Sequence, residues 1–100
     1  MTRLNWKIVA PNLTEAREEL QRLERLAAHP TRRGEIDLEA GLSHAYHHLN
    51  FAWHVRRVST KRYVRCSTAD YNRWGRFPKD VWLMELEPTR RRAPRRARGA

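Results

Sequence analysis

A chain of one hundred residues, 40% apolar and 32% charged, has room for one modest core and excludes a second independent domain. Four Trp can supply much of that core; the lone Cys66 excludes an internal disulfide, and no apolar run approaches the roughly eighteen residues of a membrane span. The net charge of +10 lies entirely in the second half, because seven basic and seven acidic residues balance over 1–55.

In chain order, Leu4 to Val9 alternates apolar and polar residues and reads as a short strand or an arm ended by Pro11. Asn12 with Glu15 three residues on has the form of a helix N-cap. Leu13, Ala16, Leu20, Leu23 and Ala27 then draw an apolar stripe along a helix that His29-Pro30 closes. After Thr31 to Gly34, the acids Glu35 and Asp37 suit the start of a second helix over about 36–57. Leu38, Leu42, Ala45, Leu49, Ala52 and the stem of Arg56 form its inward stripe, widened by Tyr46 and Trp53. Two such helices with a short link pack as an antiparallel hairpin.

Ser59-Thr60 either interrupts the second helix or is absorbed by it. Ser67 with Asp70 caps a short helix over 68–74 that Gly75 and Pro78 stop. Val81 to Leu86 is a compact apolar run, read as a strand or extended segment that covers the hairpin and is placed to pair with Leu4 to Val9. Residues 88–100 carry six arginines, no acid and no large apolar side chain, the composition of a disordered tail. The expected fold is therefore mainly α: a helical hairpin, a short third helix and extended ends forming a small ribbon, within one domain over 1–87. The core expected from the stripes is Leu13, Leu20, Leu23, Leu38, Leu42, Leu49 and Trp53. A central Leu49 would lose roughly 2–5 kcal/mol on replacement by Ala.

Four histidines, His44, His47, His48 and His54, lie on the second helix, and His44 and His48 share a face at the four-residue spacing that chelates metals. A zinc-protease helix needs a glutamate after its first histidine, where this chain has Ala45. The nearest acids in sequence, Asp37 and Glu39, sit at the helix start. The ordinary reading puts His47, Asn50 and His54 on the solvent side and His44 and His48 at the core boundary, with no metal or other cofactor expected. Cys66 beside Arg65 has no evident catalytic partner, and the isolated glycines exclude a phosphate-binding loop. No catalytic motif is recognisable, so a non-enzymatic protein is expected.

The basic and aromatic second half is the stronger signal. Arg56, Arg57, Lys61, Arg62, Arg65, Arg73 and Arg76 surround Tyr63, Tyr71, Trp74 and Phe77, a mixture that attracts phosphates and stacks on unpaired bases. If helical throughout, Arg57, Lys61 and Arg65 fall on one face. The leading expectation is a small basic protein that contacts RNA or DNA through these residues, Trp74 included, and through the tail. The alternative is a protein-interaction or regulatory module, self-associating through its hairpin or docking its tail on an acidic protein; a metal-binding protein using His44 and His48 is third. With no membrane segment and no apolar leader in Met1 to Ala10, a cytoplasmic location is expected.

Overall fold

The computed structural model describes residues 3–82, and over them the fold is mainly α. Two long helices, α1 (Trp6–Ala28) and α2 (Gly34–His54), form the hairpin; α3 (Thr60–Val64) and α4 (Thr68–Trp74) follow. None of the described helices is long and apolar enough to cross a membrane.

The expected N-terminal strand is instead the first turns of α1, and Pro11 lies inside the helix. Proline deprives the Lys7 carbonyl of its helical partner, but Lys7 and Pro11 both face solvent, where water serves that carbonyl. With no strand at Leu4 to Val9, the expected ribbon is lost. Val81 and Trp82 have no regular structure; residues 83–86 and the tail lie outside the described residues. Asn5 precedes α1 and pins it to the α2–α3 junction: its amide N–H donates to the Arg56 carbonyl at 2.6 Å, and its Nδ2 donates to the Val58 carbonyl at 2.8 Å.

The hairpin seam is made of small residues. Ala16, Gly41, Ala45 and Ala52 are buried. A Cβ added at Gly41 would sit 2.5 Å from Leu23 Cδ2, 2.8 Å from Glu19 Oε2 and 2.9 Å from Arg22 Nη2, so side chains of α1 fill the space beside this glycine. Of the expected core, Leu23 is buried and Leu42 and Trp53 are half-buried, whereas Leu13, Leu20, Leu38 and Leu49 are 42–46% exposed.

The apolar core lies at the open end of the hairpin, where Ile8, Phe51, Val55 and Trp74 are buried together and Val58 and Tyr63 pack against them. Phe51 meets Trp74 edge-on at 5.9 Å, and Tyr63 stacks on Trp74 at 6.1 Å. The helix ends after His54; Ser59 then caps α3, its Oγ accepting from the Arg62 N–H at 3.1 Å. The basic segment is therefore broken at Val55 to Ser59, and Arg57 does not share one continuous helix with Lys61 and Arg65. The expected Ser67–Asp70 capping box is present at α4.

Candidate metal centre

The flank of the hairpin on which α3 and α4 dock also brings the histidines of α2 against polar residues of α1. Asn12, read as a helix cap, is instead 3% exposed in the body of α1 and joins three helices. Its Nδ2 donates to the Ile8 carbonyl at 2.9 Å and to Tyr63 Oη at 3.2 Å, leaving its Oδ1 2.8 Å from His48 Nδ1. An amide oxygen only accepts, so the hydrogen-bond network assigns the proton to His48 Nδ1 and a lone pair to Nε2. The same logic applies to His44, whose Nδ1 lies 2.9 Å from Glu19 Oε1. Its Nε2 keeps a lone pair while the ring is neutral; a protonated His44 would instead donate from Nε2 to His48 Nε2.

The two Nε2 atoms face one another at 3.1 Å. As neutral imidazoles they would present lone pair to lone pair, which is repulsive unless a positive centre lies between them. An ion bonded to both nitrogens at the usual zinc distance would subtend about 100°, near the tetrahedral angle. The third member is Glu15, one α-helical turn before Glu19: a carboxylate oxygen of Glu15 and a ring nitrogen each of His44 and His48 all lie within 4.8 Å of one another. Glu15 and His44 are exposed and His48 half-buried, so the site opens to solvent on one side and Glu15 is able to swing inward.

Two imidazole nitrogens and a carboxylate oxygen suit zinc, cobalt, nickel or copper better than magnesium or calcium. The groups behind the ligands also fit, since metal-bound histidines commonly donate their other N–H to a carboxylate or carbonyl oxygen, as His44 does to Glu19 and His48 to Asn12. Burial first, then the positive charge that His44 carries when protonated, holds the His48 pKa below its ordinary value against the opposing pull of Glu15; burial, then the like charges of His48 and His44, does the same for His47. Lowered values favour the neutral imidazole, the form that binds metal. Hydrogen bonds from His44 and then Arg22 hold Glu19 below the usual carboxylate range.

Sequence spacing placed His44 and His48 on one face but missed their partners. Asn12, Glu15 and Glu19 are themselves spaced by three and four residues, and the signal was available only by setting that stripe against α2 in antiparallel register. The solvent-side reading holds only in part: Asn50 is buried and His47 and His54 are half-buried, whereas His44, read at the core boundary, is exposed. Asn50 donates to the Gly75 carbonyl at 2.9 Å; His47 packs on Phe51 at 4.4 Å; His54 Nε2 reaches the Arg76 carbonyl at 3.0 Å.

The basic residues are dispersed. Trp74 is 2% exposed and belongs to the core, so it is not a base-stacking platform. Arg62 and Arg73 each donate to Asp70 Oδ1 at 2.8 Å, and Arg56 lies 3.8 Å over the Trp53 ring and donates to the Trp53 carbonyl at 2.7 Å. Arg57, Lys61, Arg65 and Arg76 are exposed. Comparison of the chain with protein-family models, with curated proteins and with solved structures found no match.

Proposed function

We propose that this chain is a non-enzymatic metal-binding protein in which one divalent ion of the zinc type is held by His44 Nε2, His48 Nε2 and a Glu15 carboxylate oxygen. The observation that carries the reading is the 3.1 Å approach of two nitrogens whose Nδ1 atoms are both already committed as donors. The ion replaces a repulsive contact with two bonds and fastens α1 to α2 across a seam of small residues. A small domain with a thin core gains much from such a staple.

The test uses tag-free protein. Cobalt(II) is expected to develop the visible absorption of a low-coordinate site at one equivalent per chain. Zinc in hundredfold excess over its Kd is expected to stabilise the fold by about 2.7 kcal/mol, read as a higher Tm. His44→Ala and His48→Ala lose both signals, Glu15→Gln weakens them, and magnesium produces neither. A wild-type protein with no cobalt bands and no zinc-dependent Tm would overturn the proposal and leave a shared proton between the rings.

Nucleic-acid contact is a second reading, favoured by the exposure of Lys61 on α3 and of Arg65 at its C-terminal cap, and by a positive charge confined to the second half of the chain. Its character is electrostatic, with Arg57 and Arg76 contributing and no aromatic readout by Trp74. Fluorescence anisotropy with labelled RNA and DNA should show binding that weakens steeply with salt and falls in Lys61→Glu/Arg65→Glu protein. Binding unchanged in that variant would remove α3 from the interface.

A further inference from the structure

The flank opposite the histidines is apolar and open. Leu20, Leu42, Ala45, Tyr46 and Leu49 line a shallow groove between α1 and α2. Along α1 the stripe extends through Trp6, Leu13 and Leu20 at seven-residue steps, the repeat by which helices of separate chains pack at a shallow angle. Trp6 is 59% exposed, Tyr46 56%, Leu13 43%, and Leu20 and Leu49 42%. None of the described segments covers these side chains; α3 and α4 sit on the other flank, against Ile8, Phe51 and Val55.

We infer that this flank is the interface for a second copy of the chain, two hairpins closing back to back into a four-helix bundle. Three features favour that occupant. The exposed area of Trp6, Leu13, Leu20, Tyr46 and Leu49 is on the order of 500 Å², against the roughly 800 Å² per partner of a standard interface, so the surface around them supplies the balance. The patch draws on both helices of the hairpin, so a two-fold axis sets like on like, the commonest symmetry of soluble oligomers. The hairpin is also electrically neutral, because seven basic and seven acidic residues balance over 1–55. The charge that would drive copies apart lies in the other half of the sequence, where moderate salt screens it.

The experiment is sedimentation velocity on the full chain over a concentration series, at moderate salt, with a chelator present throughout so that no ion bridges two molecules. Wild-type protein is expected to pass from monomer to dimer as concentration rises. Leu20→Glu and Leu49→Arg should hold it monomeric with an unchanged far-UV circular dichroism spectrum, because both positions are already partly in water. Should either variant lose helicity, Tyr46→Lys, at the most open position of the groove, reads the same outcome. Val64→Asp on α3, at an apolar residue 75% exposed and outside the patch, should leave the dimer intact, as should His44→Ala. A wild-type chain that stays monomeric throughout, or a dimer indifferent to the Leu20, Leu49 and Tyr46 variants but lost in Val64→Asp, would overturn the assignment. Neither result bears on the metal centre, which is read by cobalt and zinc alone.

Discussion

The two flanks of the hairpin arise from the same two helices, yet they carry opposite chemistry. On one, Asn12, Glu15 and Glu19 face His44 and His48, and α3 and α4 dock at its open end. On the other, Leu13 and Leu20 lie beside Leu42, Tyr46 and Leu49 with nothing described above them. The seam of Ala16, Gly41, Ala45 and Ala52 separates them. Small side chains let helices approach closely but bury little apolar area each, so the seam positions the flanks without dominating stability. The difference locates the apolar core in the aromatic cluster on the histidine side, and it leaves the leucines as surface.

The largest expected effect tests that location. Phe51→Ala should cost about 3–5 kcal/mol, because a buried ring touching Trp74, Tyr63 and Tyr71 is replaced by a cavity. Urea denaturation of the metal-free protein measures it. A loss below about 1 kcal/mol would mean that the cluster is not the core.

Gly41→Val attacks the seam. With Leu23 Cδ2 and Glu19 Oε2 already inside the space of a Cβ, the buried Leu23 must change its packing and the Glu19 carboxylate must swing away, an overpacking cost toward the lower end of about 1–3 kcal/mol. Glu19 holds His44, so the same substitution should weaken zinc binding. Gly34→Ala is the control, since a Cβ there meets nothing within 4 Å. A Gly41→Val protein as stable as wild type would show that the two flanks are not held by close packing.

Asn12→Ala separates the chemistry of one flank from its packing. It leaves His48 Nδ1 without its acceptor and frees the ring to rotate or change tautomer. Zinc affinity should fall about 10–100-fold while both imidazoles remain present. The loss of a buried, fully bonded amide should also lower stability by about 1–3 kcal/mol. Unaltered zinc affinity would mean that the Asn12 contact does not orient the ligand.

At the α4 end, burial alone would push the Asp70 carboxyl up. The Ser67 backbone N–H, the Arg73 guanidinium and the charge of Arg62 outweigh it and hold the pKa below its ordinary value. A depressed carboxyl contributes stability above its unfolded pKa and loses it as pH falls through the folded one. Acid titration of Asp70→Asn protein should therefore show a shallower loss of stability below the usual carboxylate range than wild type. Identical acid profiles would show that Asp70 titrates as if unpaired.

The hairpin, the short helix over 68–74 and its capping box were legible in the sequence because each rests on local rules: a three-four spacing, a Ser with an acid three residues on, a stop at Gly. The N-terminal helix was misread because Pro11 is a strong local breaker, and only its exposure on the solvent side makes it tolerable. The core was misread for a nonlocal reason. Leucines at helical spacing define an apolar face, but which side of that face meets the other helix is settled only by the paired helices, and it is the small residues Ala16, Gly41 and Ala45 that are buried. The same uncertainty hid the candidate metal site, since Glu15 and Glu19 gain meaning only once the register places them opposite His44 and His48.

Leu49 carries the smallest effect and the sharpest comparison. From its spacing alone, Leu49→Ala would cost roughly 2–5 kcal/mol as a central core residue. At 42% exposure only about half of the side chain leaves water in the folded monomer, and the space left by its removal opens to solvent rather than forming a cavity. The expected loss in dilute protein is therefore about 1 kcal/mol, the transfer value of the methyl and methylene groups actually buried. If the flank joins two copies, that loss should grow with protein concentration, because the wild type gains stability from association and the variant does not. A cost that matched Phe51→Ala in dilute solution would instead make the two flanks energetically equal, and the leucine side would have to be covered within the single chain.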